Sequence, residues 1–522
     1  MSKYFRNLAK PLAWAALGGL LFLGACKKHN TPPGGKKPTG NGRLSDEDSL
    51  KYLMYRTMQV SFVNGGRDTQ YQLPAYFWNS SVPTLDPLSS LYSNADTLLS
   101  VIKGYAINPA TSGPYDRYSF LDRTGAQTNQ LQNGINGDFG LQVTYVADQN
   151  NNTYLYVLYA DRNSPAGRAG VDRAWQITAI NGNTNISYDG PNGSNTTRVV
   201  NAVYYSPTTT FTFLAPDSTT KTLTLSTTNY NTDPVLFDSV YDVNGTEVGY
   251  FVFYTFSSIT DSVGNPVQNT TRTALTNVFN RFQNAGVRDV IIDLRYNGGG
   301  DVGTSEFIDS AMAPPAAAGQ VMYNITYNTS FSQNATSLGL PSQVKFGGVG
   351  GLSLDHIFFI TTRNTASASE LTLNNLKPYM SVKVVGDTTY GKPVADLVWP
   401  LSDYDSTGNP NFLAYLYSVA EATSNAQEIG GYYTGIPADA QAFDYVNIPW
   451  GDAGFDDNLV HIFNYISTGN FRLTGARTVH PGWLRARIPG SIPLHGFHDM
   501  VNFSQSRALW KRARIQPLFR RK

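Results

Sequence analysis

Residues 356–392 read HIFFITTRNTASASELTLNNLKPYMSVKVVGDTTYGK, and the fold turns on how this stretch is parsed. The apolar run Ile357–Ile360 reads as a short buried strand, Ala368 to Leu376 as the helix that follows, and Val384-Val385 is apolar again. Ser367 therefore falls at a strand-to-helix turn. The first N–H groups of a helix lack internal partners, so at such a turn they point outward and can stabilise an oxyanion forming beside the serine. Lys392 follows Ser367 by twenty-five residues. A serine beside a neutral lysine can cut a peptide bond, the amine taking the hydroxyl proton as the oxygen attacks.

Two plainer readings stand beside this one. Ser367-Ala368-Ser369-Glu370 is also a capping box, a serine N-cap with glutamate three residues on. The roles are compatible, since a nucleophile at a helix start can contribute to the cap. Lys392 reads equally as a surface lysine at a strand end. To act as a base it must shed its proton near neutral pH, whereas a free lysine titrates at about 10.4 and a useful base at about 7 to 8. That shift costs about 4 kcal/mol, and desolvation is the usual way to supply it. Lys392 does lie between apolar residues, with Val384 and Val385 before it and Val394, Leu397, Val398 and Trp399 after it.

The serine and lysine with their spacing resemble the C-terminal processing (tail-specific) serine peptidases. The resemblance extends upstream, where Asp289-Val290-Ile291-Ile292-Asp293-Leu294-Arg295-Tyr296-Asn297-Gly298-Gly299-Gly300 is similar to the family's strand ending in Asp-Leu-Arg and a paired glycine. Before it, Val248 to Phe256 is similar to the first strand of the core. The likeness covers roughly residues 45 to 468. It implies a mixed α/β multidomain chain with a crotonase-like or Clp-protease-like peptidase core, a PDZ-like domain and a small N-terminal helical region. It also implies a catalytic pair of Ser367 and Lys392, with the oxyanion held by the backbone N–H groups of Ala368 and Gly299. One departure is Asp396, which stands where the family carries a glutamine to orient the lysine. In an extended strand Lys392 and Asp396 share a face but lie roughly 13 Å apart, so contact requires a bend or bulge. Asp396 is thus a candidate orienting residue.

Other sites were weighed against this one. His356, eleven residues before Ser367, sits among Ile357, Phe358 and Phe359 and reads as a strand residue satisfied by hydrogen bonds. Gly298-Gly299-Gly300-Asp301-Val302-Gly303 matches a dinucleotide fingerprint. No acidic residue follows Asp309 until Asp355, so the ribose-binding carboxylate about twenty residues on is missing. No cofactor and no metal are expected.

The amino terminus bears on the compartment. Lys3 and Arg6 precede an apolar stretch from Leu12 to Ala25, short for a membrane span and suited to a secretory signal. It ends in Leu23-Gly24-Ala25-Cys26, similar to a bacterial lipobox in which the cysteine is lipidated. Cys26 is the single cysteine, so the chain cannot form a disulfide within itself. Residues 1–26 thus read as a lipoprotein signal, or as a plain signal peptide with an incidental cysteine. Residues 27–44, rich in lysine, proline and glycine, read as a flexible tether. This implies an extracytoplasmic protein held to the envelope through Cys26. With 522 residues, 41% of them hydrophobic and 15% charged, the rest can bury several cores, and a net charge of +1 gives no hint of a nucleic-acid partner.

Residues 45–121 begin with Ser45-Asp46-Glu47-Asp48, which caps a helix striped by Leu50, Leu53, Met54 and Met58. A second helix covers Ala95 to Ile102, and Tyr76-Phe77-Trp78 resembles part of the family's helical region. From 122 to 228 the pattern is of short strands and turns. Gly137-Asp138-Phe139-Gly140-Leu141 resembles the carboxylate-binding loop of a PDZ domain, with Phe139, Gly140 and Leu141 as peptide-binding residues. Ser164 to Val171 resembles its helix and Ile177 to Gly182 its strand and turn. The usual Gly-Asp before that strand is Ala174-Trp175 here, and a generic β-hairpin module is the alternative. Such a domain adds a peptide as a strand to its sheet edge. The core, residues 229–468, alternates strands with helices such as Thr273 to Phe282. Residues 469–522 form a basic tail, with eleven lysines and arginines against Asp499 from Phe471 onward. It reads as solvated, or as a contact for an anionic surface. The function implied is an envelope-anchored endopeptidase cleaving unstructured or C-terminal regions of proteins. The alternative is a peptide-binding lipoprotein of the same architecture with little or no catalysis.

Overall fold

A computed structural model describes residues 44–61, 85–148, 150, 152–261, 265–327, 331–332, 335–473 and 510–512. The signal segment with Cys26, the tether up to residue 43, the Tyr76-Phe77-Trp78 cluster and most of the basic tail lie outside them. Helix α1 (Asp46–Ser61) starts where Ser45 Oγ accepts the Asp48 N–H at 3.1 Å, and α2 (Ala95–Lys103) where Asn94 accepts that of Thr97 at 2.8 Å. The apolar stripe of α1 is buried, and it shares one core with Leu98, Leu99 and Ile102 of α2 and with the α/β region beyond. Strand β1 (Phe120–Asp122) and helix α3 (Ala126–Asn133) complete this amino-terminal part.

The next 90 or so residues form an antiparallel sheet in the order β2 (Leu141–Ala147), β3 (Thr153–Ala160), β4 (Gln176–Ile180), β5 (Thr208–Leu214) and β6 (Thr220–Ser226). Helices α4 (Pro165–Arg168) and α5 (Ser194–Val200) are inserted between its strands. Ala174, in the place of the usual glycine, holds φ at +69°, so the left-handed turn is kept without glycine. One face of the sheet closes over Phe139, Val143, Val157, Ile177, Phe211 and Phe213. The other lays Val146, Leu158 and Tyr159 against Tyr254, Tyr296 and Phe358 of the α/β region.

That region has two sheets. The first runs β7 (Val235–Val243), β8 (Thr246–Phe253), β9 (Asp289–Asp293), β12 (His356–Thr361), β13 (Ser381–Gly386) and β16 (Ala440–Gln441). All neighbours from β8 onward are parallel, and β9 and β12 are buried along nearly their whole length. The crossover α6 (Thr270–Ala285) is started by Asn269, whose side chain accepts the Arg272 N–H, and stopped by Gly286 at φ +69°. It buries Leu275, Val278 and Phe282, each worth roughly 1.5–3 kcal/mol. Gly249 faces it because any Cβ there would lie 2.8 Å from the Phe282 ring. Helix α7 (Val302–Met312) follows β9, and the second sheet packs beyond it. Its order is β11 (Gln343–Lys345), β10 (Val321–Tyr327), β15 (Pro410–Asn425), β14 (Val394–Tyr404) and β17 (Trp510–Arg512), with β1 also on β15. Of the basic tail, β17 thus runs parallel to Asp396–Val398. Helices α8 (Ala368–Leu376) and α9 (Asp457–Thr468) complete the core. His356 opens β12 and bonds to Asp289 at 2.9 Å, at the opposite end of the strand from Ser367.

Candidate active site

Strand β12 hands the chain to Ser367, the N-cap of α8, at φ +63° and ψ −117°. This lies outside the regions open to L-residues and holds about 1–3 kcal/mol of strain. The Ser367–Glu370 capping-box pair sits at this strained turn. Glu370 reaches back to accept the Ser367 N–H at 2.9 Å, while Ser367 Oγ is buried and makes no hydrogen bond. The hydroxyl is left uncommitted to the helix.

Glu370 also joins the serine to the lysine. Its Oε2 accepts the Lys392 N–H at 2.8 Å, and its Oε1 accepts the Gly391 N–H at 2.7 Å and the Thr389 hydroxyl at 2.5 Å. Since one oxygen holds both amides, at 2.9 and 2.8 Å, the backbone nitrogens of Ser367 and Lys392 lie at most 5.7 Å (2.9 plus 2.8) apart. Burial raises the pKa of Glu370, and these donors pull it back toward the ionised form. Gly391 has φ +94°, and a Cβ there would sit 2.4 Å from the Tyr433 carbonyl, so glycine is required where the chain turns into Lys392.

The Lys392 amine is 1% exposed and donates to Asp396 Oδ2 at 2.6 Å. Lys392 lies two residues before β14 starts at Val394, so the two residues are not four steps along one regular strand; just past that start the pairing also shifts, with Ala420 of β15 left unpaired between the partners of Ala395 and Asp396. Burial lowers the lysine pKa, opposed by the neighbouring Asp396. The same burial pushes Asp396 up to about 6, opposed by Lys392. Asp396 Oδ1 is buried without a hydrogen bond. The amine is therefore engaged by a carboxylate rather than by the serine hydroxyl, as expected when an anion competes with a neutral acceptor for the same donor.

The glycine turn after β9 faces the serine. Gly299 has φ +102°, and a Cβ built on it would lie 2.8 Å from Ser367 Cβ and 2.9 Å from the Ala368 nitrogen. Asn297 ties the two turns: its carbonyl accepts the Ala366 N–H at 3.2 Å and the Ser369 hydroxyl at 3.1 Å, and its Oδ1 accepts the Gly299 N–H at 2.8 Å. Gly299 thus lies beside Ser367 and Ala368 as the sequence reading requires, but its N–H points at Asn297, because a nearby amide oxygen satisfies it in a closed site. Ahead of the turn, Arg295 is buried against Asp293, Asp444 and Asp456 at 2.7–3.0 Å. Asp444 also binds Arg173 from the five-stranded sheet at 2.5 Å.

Sequence reasoning missed the amino-terminal contribution. Tyr118 donates its hydroxyl to the Gly391 carbonyl and lays its ring 5.3 Å from the Lys392 amine. Arg117 donates to the carbonyls of Tyr390, Gly391 and Tyr433 at 2.8–3.0 Å. The chain gave no local signal for this, as the partners lie more than 270 residues apart. Glu370 and Asn297 could have been found, the first from the capping box and the second from its place before the glycines.

A strained buried serine at a strand-to-helix turn, a desolvated lysine tied to the same carboxylate and a glycine turn alongside define a hydrolase of the serine peptidase class. Residues 247–431 match peptidase family S41, and the chain carries a peptidase domain of that family. No curated protein matches the chain significantly. Among solved structures, a Bacteroides fragilis protein assigned to the S41 proteases is 19% identical, with a TM-score of 0.57, over 83% of this chain and 99% of the other. The photosystem II D1 C-terminal processing protease is 18% identical at a TM-score of 0.41, over 76% and 93% of the two chains. Mature CPAF complexed with lactacystin is 10% identical at 0.39, over 81% and 98%.

Proposed function

We propose that this protein is a serine endopeptidase of the cell envelope that cuts unstructured or C-terminal regions of proteins through Ser367 and Lys392. The observation that carries the reading is the shared Glu370 oxygen, which brings a nucleophile and a base together from two segments of the chain. Neutral Lys392 takes the Ser367 proton as Oγ attacks the peptide carbonyl. The ammonium so formed is met by Asp396, which takes the part that an aspartate plays beside histidine in other triads. The C–N bond then breaks as Lys392 returns the proton to the departing amine, leaving an acyl ester on Ser367. Water, giving a proton to Lys392, releases the acyl group and restores the serine.

The oxyanion falls to the Ala368 N–H and, once turned from Asn297, that of Gly299. Ser367 is 0% exposed, so substrate reaches it only when covering segments open. The strain at Ser367 speaks against the inert alternative, since a plain helix cap has no use for it. The five-stranded sheet is read as a PDZ-like peptide-binding module, and Cys26 as the site of lipid attachment to an envelope membrane. Among the described residues no helix is long and apolar enough to cross a membrane.

The test uses protein lacking residues 1–26 with a disordered, apolar-ended peptide. Cleavage is expected, and Ser367→Ala should lower it at least about 10³-fold with folding intact. Unchanged cleavage by Ser367→Ala sinks the reading.

A further inference from the structure

A peptide added to a sheet edge bonds to outward-facing backbone groups of the edge strand, and a terminal carboxylate lies on N–H groups of the preceding loop. In the five-stranded sheet the edge strand is β2 and the loop is Gly137–Leu141. Val143 faces Val157 of β3, and Val157 donates its N–H to the Trp175 carbonyl while its own carbonyl accepts the Ala174 N–H, both on the far side. The two valines therefore form a non-hydrogen-bonded pair, and the Val143 N–H points to the open edge.

Tyr204 stands at that edge. Helix α5 continues as a π-helical turn, Asn201–Tyr205, which resets the register of its side chains. Ala202 and Val203 join Val143, Tyr145 and Phe139 in one apolar cluster, and Tyr204 packs against it. The Tyr204 hydroxyl oxygen is buried. Burial raises its pKa well above the usual range; the Val143 amide acts to lower it, and Tyr159 and Asp138 raise it further. The side chain packs against the cluster that includes Val143 of the edge strand and Phe139 of the loop.

The loop is filled as well. The Gly140 N–H donates to Asp138 Oδ1 at 2.8 Å, and the same oxygen accepts the Tyr230 hydroxyl at 2.7 Å. The Phe139 carbonyl accepts the Ala166 N–H and the Gly140 carbonyl that of Asp161, each at 3.0 Å. A Cβ on Gly140 would lie 2.0 Å from Ser164 Cβ, so the loop has no slack on that side. A chain terminus laid here would meet a carboxylate already on the amide it needs, and like charge would repel it.

We infer that Asp138 and Tyr204 are specificity-determining residues that bar a free chain terminus from the groove between β2 and α5, so that this protein selects segments carrying no carboxylate at that point. The inference rests on the reading of the sheet as a peptide-binding module, and it departs from the tail-recognising groove that the family resemblance implies.

Binding is measured rather than cleavage, so that failure of the proposed catalysis leaves the test intact. Full chain carrying Ser367→Ala is titrated with two labelled apolar peptides that differ only in a terminal carboxylate or carboxamide, followed by fluorescence polarisation. The unaltered groove should bind the carboxamide at least about tenfold more tightly than the free acid. Adding Asp138→Asn together with Tyr204→Ala should create a preference for the free acid of about tenfold. Tyr204→Phe with Asp138→Asn, which keeps the packing, should move in the same direction if the larger truncation unfolds the sheet. Equal binding of the two peptides, or a preference for the acid, in the unaltered groove overturns the inference, as does failure of both double variants to acquire a preference for the acid.

Discussion

Glu370 Oε2 receives the N–H of Ser367 and the N–H of Lys392 together, at 2.9 and 2.8 Å, so that one buried oxygen holds the backbones of the proposed nucleophile and base beside each other. Glu370→Ala would leave four donors without an acceptor in a closed site. Each unmet buried donor costs about 1–3 kcal/mol, and relaxation brings the total to an expected 3–5 kcal/mol. Glu370→Gln keeps the volume but turns an N–H₂ toward donors, and should lower kcat about 100-fold with a smaller fall in Tm. Thermal unfolding and peptide cleavage, measured on both variants, check this.

Gly299→Ala tests the turn beside the serine. The added methyl meets Ser367 Cβ and the Ala366 carbonyl at 2.8 Å, at φ +102° where alanine is strained. A stability loss of about 1–3 kcal/mol and a fall in kcat of at least about 100-fold are expected. Wild-type turnover in Gly299→Ala would show that this turn does not border the reacting atoms.

Asp396 makes the pH dependence specific. Its folded pKa of about 6 lies above the unfolded value near 3.8. The stability it contributes is therefore full below pH 3.8 and is lost as pH rises through about 6. Relative to Asp396→Asn, wild-type unfolding free energy should fall by about 2–3 kcal/mol across that window. Denaturant titrations at a series of pH values would reveal the slope or its absence.

The same carboxylate opposes the burial that lowers the Lys392 pKa. Asp396→Asn removes that opposition, so the lysine becomes neutral at lower pH. The acid limb of the kcat/KM profile should move to lower pH, while kcat on the plateau falls because the ammonium formed during attack loses its partner. A limb that stays in place would exclude Lys392 as the titrating base.

Tyr118→Phe removes the hydroxyl bonded to the Gly391 carbonyl but keeps the ring over the lysine. It should cost about 1 kcal/mol and reduce kcat about tenfold or less, whereas Tyr118→Ala, which also opens space beside the amine, should cost more on both counts. Calorimetry with steady-state kinetics separates the two variants.

Much of this site was legible along the chain because its signals are local. The strand, serine, capping glutamate and helix are neighbours in sequence, and Gly391 directly precedes Lys392. The α6 stripe of Leu275, Val278 and Phe282 likewise follows from periodicity alone. Asp396 was legible only as a question. Four residues of ideal strand would keep it roughly 13 Å from Lys392, but Lys392 lies before β14 begins, where the path of the chain is set by tertiary packing rather than by strand geometry.

The sequence by itself determined the chemistry on offer: a serine at a helix start, a lysine among apolar residues, a glycine turn after a buried strand and a lone cysteine near the beginning. The tertiary structure alone decided which groups meet. It set Glu370 between the backbones of Ser367 and Lys392, turned the Lys392 amine to Asp396, brought Arg117 and Tyr118 across more than 270 residues to the loop before the lysine, and packed Tyr204 against the cluster of Phe139 and Val143. Local patterns follow from short-range sterics and hydrogen bonding. A buried polar contact between distant segments is settled only when the folded chain excludes water and each donor must take the acceptor that packing leaves within reach.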